Sequence, residues 1–109
     1  MIISYASTHI REICEDHSAS LEALSGSDAI RMRAILSDIS AASHVGEIVG
    51  IKFEMLDGRV ITGSKATVMI RPGLELNCTL NSTVQATPDT AVSLETIRRL
   101  KIDRIGEIV

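Results

Sequence analysis

Residues 74–80 of the chain are Leu-Glu-Leu-Asn-Cys-Thr-Leu, and this stretch decides the fold class. Apolar side chains alternate with polar ones along it, which is the period of a strand with one face in a core and the other in solvent. A strand buried on one face needs paired neighbours, so we expect an antiparallel sheet around it.

The residues before this strand carry the signals of further strands joined by tight turns. Runs rich in apolar and β-branched residues span Ile48–Met55, Arg59–Thr62 and Ala66–Ile70. Asp57-Gly58 is a strong hairpin signal, and Pro72-Gly73 closes the third run. This half of the chain therefore predicts consecutive antiparallel strands.

The residues after the strand are less uniform. Asn81–Thr90 is polar and contains Pro88, which predicts a loop. Ser93–Ile97 fits one short helical turn. Leu100–Val109 is compatible with a helix, but its β-branched residues favour a final strand.

The first 48 residues follow a helical period instead. Met1–Tyr5 is an apolar run of strand length, and Ser7 and Thr8 are residues that start helices. Apolar residues then recur at helical spacing over residues 10–24, Gly26 ends this helix, and residues 32–39 carry the stripe of a second one. The chain thus predicts one α+β domain over residues 1–109, with an N-terminal strand and a two-helix hairpin packed on a small, mainly antiparallel sheet of three to four further strands.

Composition limits the functions that such a domain can have. The net charge is −3 over 109 residues and only two residues are aromatic, which argues against indiscriminate nucleic-acid binding and against modules that stack bases. No apolar stretch is long enough for a membrane span, the N-terminus lacks the pattern of a signal peptide, and two distant cysteines indicate reduced, buried thiols. These features predict a cytoplasmic protein without a membrane partner.

Charge is distributed unevenly along the chain. Residues 1–48 carry a formal −4, whereas residues 49–71 carry +2. Lys52, Arg59, Lys65 and Arg71 fall on or beside the predicted strands. They fit either a basic face for RNA phosphates or solvated strand edges that prevent aggregation.

The order of elements and several phrases together resemble the RelE/ParE toxin superfamily, in particular its HigB-like branch of plasmid maintenance killer proteins. The resemblance covers essentially the whole chain and depends on the order and spacing of the phrases. The matching segments are residues 1–7, 10–16, 29–42, 53–59, 66–80 and 88–108.

The resemblance implies a toxin of a type II toxin–antitoxin system that enters the ribosome and cuts mRNA without a metal or other cofactor. The implied partners are the ribosome with its mRNA and an antitoxin, expected to be a helix-turn-helix protein from a neighbouring gene. Cleavage by the RNA 2′-hydroxyl needs a base, an acid and cations that stabilise phosphate charge. The implied candidates for catalysis are Arg59, Lys65, Arg71 and Glu54, and those for phosphate binding are Lys52, Arg59, Lys65 and Arg71.

The chain also departs from the family at positions that carry its chemistry. Phe53 stands where the family has a histidine, Leu74-Glu75 replaces a Tyr-Arg pair, and the closing Asp-Tyr-His has no counterpart after Glu107-Ile108. The alternative is therefore a catalytically degenerate relative that acts as a non-enzymatic module binding an antitoxin or another partner.

Two other groups of residues have a structural and a functional interpretation. Ile10, Ile13 and Met32 fit the helical core, or else a groove for a partner segment. His9, Cys14 and His17 have a poor spacing for a metal, so no metal site is predicted.

Overall fold

The structure, a computed structural model, describes residues 1–83, 87 and 89–109. One strand and three consecutive helices form the first part of the chain, and strands dominate after residue 50. The elements are β1 (Ile2–Tyr5), α1 (Thr8–Glu15), α2 (His17–Ala23), α3 (Gly26–Ala41), β2 (Ile51–Phe53), β3 (Arg59–Ile61), β4 (Lys65–Arg71), β5 (Leu74–Ser82), β6 (Ala91–Ser93) and β7 (Ile97–Ile105).

Five strands form the main sheet, in the order β1-β7-β5-β4-β2. β1 runs parallel to β7, and the other neighbours are antiparallel. β5, the strand of residues 74–80, lies in the centre of the sheet as its alternating pattern predicts. The α+β class, the N-terminal strand and the four further strands of this sheet agree with the sequence-based prediction.

The helical half differs from the predicted two-helix hairpin, because the first helix is divided in two. Asp16 has an extended backbone conformation and ends α1, and its carboxylate then accepts a hydrogen bond from the Ala19 amide as the N-cap of α2. Ser7 and Ser25 cap α1 and α3 in the same way. Asp16 thus acts as the N-cap of α2. The sequence pattern does not reveal this boundary, because the helical spacing of apolar residues continues across it.

A second sheet, which the sequence did not predict, pairs β3 with β6. The Asp57-Gly58 turn is confirmed: both residues have positive φ, and Leu56 and Arg59 exchange backbone hydrogen bonds across it. β3, which follows the turn, nevertheless does not pair with β2 but with β6, some 30 residues further along the chain. Val60 on β3 is buried in the same core as the main sheet.

The C-terminal predictions are confirmed in kind, but their bounds differ: β5 extends into the predicted loop, and the final strand begins and ends earlier than predicted. The final strand exists as β7, and a 3-10 turn over Leu94–Thr96 corresponds to the predicted helical turn. Of the predicted loop over Asn81–Thr90, residues 81 and 82 belong to β5, while residues 84–86 and 88 lie outside the described residues.

The core lies between the three helices and one face of the main sheet. Its largest fully buried side chains come from both layers: Ile10, Ile13, Met32, Ile39, Leu76, Leu80, Ile97, Leu100, Ile102 and Ile105. In the part of the chain that the structure describes, every helix is too short or too polar to cross a membrane.

Candidate functional site

The main sheet has one covered and one uncovered face, and strand register assigns each residue to one of them. Ala66, Val68 and Ile70 on β4 are buried beneath the helices, whereas Lys65 and Met69, which alternate with them, are exposed. Residues directly opposite each other on antiparallel strands share a face. We call the uncovered side the open face. Its members on β2, β4, β5 and β7 are Lys52, Lys65, Thr67, Met69, Glu75, Asn77, Thr79, Asn81, Arg99, Lys101, Asp103 and Arg104, and β1 adds the uncharged residues Ile2 and Ser4.

The open face is basic although the whole chain is acidic. Five of its side chains are cationic and two are anionic, a formal surplus of three positive charges in a chain whose net charge is −3. Most of the acidic residues of the first half lie instead on the helices or at their ends. The open face therefore has a net positive charge and the helical layer a net negative charge, although each also carries residues of the other sign.

An open groove runs beside the edge strand β2, with a volume of about 580 Å³. Lys52, Glu54 and Lys65 line it together, so three of the sequence-predicted site residues meet here. Ser64 lines the same groove, and its hydroxyl oxygen is inaccessible to solvent and has no hydrogen-bond partner among the described residues. Phe53 also lines the groove and packs against the core.

A hydrogen-bonded cluster of four residues lies further across the open face. The Thr79 hydroxyl donates to Asp103 Oδ2 at 2.6 Å, and Lys65 Nζ donates to Thr79 Oγ1 at 2.9 Å. The same lysine nitrogen lies 3.5 Å from Asp103 Oδ2, and Lys101 Nζ lies 3.6 Å from Oδ1. One carboxylate therefore faces two ammonium groups. We call these four residues the Asp103 cluster.

Arg71 lies elsewhere, at the end of β4 beside the helices. Its Nε donates to both carboxylate oxygens of Asp28, at 2.9 and 3.1 Å, and its Nη1 donates to the Pro72 carbonyl. Asp28 is buried in the first turn of α3. Arg71 thus connects the sheet to a helix, and the structure gives its guanidinium an internal partner in place of the predicted phosphate.

Arg59 is also separate from the groove beside β2. It is exposed on β3, in the two-stranded sheet, and does not line that groove. The structure therefore brings together Lys52, Glu54 and Lys65, and it leaves Arg59 and Arg71 on other parts of the surface.

The partner-binding prediction for Ile10, Ile13 and Met32 is replaced by the core interpretation. Each of these side chains is no more than 2% exposed. They pack between the helices and the sheet, where an amphipathic helix buries its apolar stripe, so they offer no surface to another protein.

The two cysteine thiols are buried and are poorly placed to act as nucleophiles. Burial raises the pKa of both Cys14 and Cys78 to about 12, with smaller contributions from Glu15 and Asp103 respectively. A thiol with such a pKa stays protonated near neutral pH and is a poor nucleophile. No group of potential metal ligands occurs within residues 1–83, 87 and 89–109.

Sequence reasoning missed Asp103, Thr79 and Arg104. Their position follows from the register of β7 on β5, and a β-bulge shifts that register: Cys78 lies opposite Ile102, but Asn77 lies opposite Arg104. The alternation of buried residues in β7 indicates its inward face, but no local signal marks where one extra residue enters.

No family model, curated protein or solved structure matches the chain.

Proposed function

We propose that this protein is a toxin-like domain that binds the phosphate backbone of RNA through the open face and does not cleave it. The observation that carries the proposal is the surplus of cations on one uncovered sheet face of an otherwise acidic chain. Affinity for a nucleic-acid backbone depends on such local cations, whereas the net charge of the whole chain matters less at short range because salt screens distant charges.

The spacing of the cations favours a polymer over a single small anion. Neighbouring strands lie about 4.8 Å apart. Lys52 on β2 and Lys101 on β7 are separated by β4 and β5, so their attachment points are about 14 Å apart. A chain of phosphates can contact cations at both positions, which one phosphate cannot do.

The lack of an evident acid–base pair favours binding without cleavage. Phe53 occupies the place of the family's histidine and cannot carry a proton, and Glu75 on the open face replaces a cation with an anion. Efficient cleavage needs a base for the 2′-hydroxyl together with an acid for the leaving oxygen, and a base alone does not supply both steps.

Binding can be tested with a short fluorescein-labelled oligouridylate and two charge-matched double variants. Lys52→Gln with Arg104→Gln removes two cations from the open face, and Arg11→Gln with Arg31→Gln removes two from the helices. We expect the first pair to weaken binding about tenfold at about 0.1 M salt and the second pair to change it less than twofold. Equal losses from both pairs would contradict a role for the open face.

An active ribosome-dependent mRNA endonuclease is the second candidate. Glu54 favours it, because this carboxylate lines the same groove as Lys52 and Lys65 and is a candidate base beside two cations. Expression of the chain should then arrest growth and give mRNA breaks by primer extension, and Glu54→Gln should abolish both. Intact mRNA during expression of the unmodified chain would exclude this candidate.

An antitoxin remains part of both proposals. We propose a helix-turn-helix protein encoded by a neighbouring gene as the partner, on the strength of the family resemblance. Co-expression with that neighbour followed by affinity purification tests this directly. A stable complex is expected, and the chain eluting alone would contradict the partnership.

A further inference from the structure

Asp103 is one of two anionic residues on the otherwise basic open face. It lies at the β-bulge of β7, where the register on β5 shifts. Bulges re-aim side chains, and here the extra residue directs a carboxylate onto the open face. Its side chain is only 23% exposed, far less than that of Lys65 at 77%.

The contacts of this carboxylate are those that a bound phosphate group would make. One oxygen accepts from the Thr79 hydroxyl and lies near Lys65, and the other lies near Lys101. Ammonium and hydroxyl groups are typical hydrogen-bond donors to the oxygens of a phosphate group. A cavity of about 320 Å³ adjoins the carboxylate and is lined by Lys65, Asn77, Asp103 and Arg104, among others.

We propose that Asp103 is a specificity-determining residue that competes with phosphate groups for Lys65 and Lys101. This inference deepens the proposed function and rests on it. With the carboxylate in place, an isolated phosphate finds these two lysines already paired. The phosphodiester backbone of RNA also reaches Lys52, Arg99 and Arg104, which lie outside the Asp103 cluster. These additional contacts allow the RNA to bind beside the cluster.

The test is Asp103→Asn, which keeps the shape of the side chain and an acceptor for the Thr79 hydroxyl but removes the charge. Glu12→Gln is the matched control, because it changes the net charge equally on α1, away from the sheet. We expect Asp103→Asn to tighten binding of the labelled oligouridylate threefold to tenfold at about 0.1 M salt, and Glu12→Gln to change it less than twofold. An equal gain from both variants would show an effect of net charge alone and overturn the inference.

A second substitution identifies the lysines as the competing partners. When Lys101→Gln is combined with Asp103→Asn, the gain in oligouridylate affinity should fall by at least half, because one of the two ammonium groups that Asp103→Asn releases is then absent. A full gain in the double variant would contradict competition for Lys101.

Inorganic pyrophosphate gives a readout that does not depend on RNA binding. Amide signals of β4 and β7 around Lys65 and Lys101 should shift at about tenfold lower pyrophosphate concentration in Asp103→Asn than in the unmodified protein. If the unmodified protein fails to bind oligouridylate while this difference persists, the proposed function is wrong and the inference stands. If neither protein responds to pyrophosphate at these strands, the inference is wrong.

Discussion

Arg71→Met tests whether Arg71 holds the sheet to the helices or is available to a ligand. The substitution keeps much of the apolar stem but removes the guanidinium, so the buried Asp28 carboxylate loses a charged donor at 2.9 and 3.1 Å. Exposed ion pairs contribute up to about 1 kcal/mol, and breaking a fully buried pair costs about 3–5 kcal/mol. The Asp28 side chain is 10% exposed and that of Arg71 is 44% exposed, which places this pair between the two cases.

We therefore expect Arg71→Met to lower the free energy of unfolding by about 2 kcal/mol. Asp28→Asn should cost less, about 1 kcal/mol, because the exposed Arg71 can then turn to water. Urea unfolding of both single variants, the double variant and the unmodified protein gives the coupling energy, expected near 1 kcal/mol. A loss below about 0.3 kcal/mol for Arg71→Met, with no coupling, would refute the structural role and make Arg71 a candidate for phosphate binding again.

Three further predictions concern the core and one turn. Leu100→Ala in the centre of the sheet should lower the free energy of unfolding by about 3 kcal/mol in urea titrations, because this fully buried side chain leaves a cavity; a loss under 1 kcal/mol would contradict its place in the core. Gly58→Ala should cost about 1 kcal/mol in the same assay, because residue 58 has a φ of +75°, and an unchanged stability would contradict the turn. Burial raises the pKa of Cys78 from 9.0 to about 12. The neutral thiol therefore contributes fully to the free energy of unfolding below pH 9, and this contribution is lost as the pH rises towards 12. Above pH 9 the free energy of unfolding should fall less steeply in Cys78→Ala than in the unmodified protein, by about 1.4 kcal/mol per pH unit, and equal slopes would contradict a buried neutral thiol.

The fold class could be predicted because its signals are local and periodic. The alternation over residues 74–80 gives the central strand, and the helical spacing after Ser7 gives the layer that covers it. The division at Asp16 was not predicted, because an aspartate within a helical period is compatible with either a cap or a solvent-exposed position. The pairing of β3 with β6 joins segments far apart in the chain, and nothing local in either segment specifies its partner.

The candidate site was predictable only in part, for a related reason. Lys52 and Lys65 were recognised as basic residues on strands, and the structure places both on the open face. Arg71 has the same local signature, yet a bulge at the end of β4 and the buried Asp28 give it a structural partner. Side-chain orientation depends on register, and one inserted residue changes it, so residue type and position along the chain could not separate these cases.

The salt dependence of oligouridylate binding tests the central claim most directly. The affinity of a protein that contacts phosphates of single-stranded RNA falls with salt, by a slope of about −0.7 in log–log form for each phosphate neutralised. We predict that Lys52→Gln with Arg104→Gln makes this negative slope shallower by about 1.4, whereas Arg11→Gln with Arg31→Gln leaves it unchanged. If the open-face variant and the helix variant give the same slope as the unmodified protein, the open face is not the RNA-binding surface.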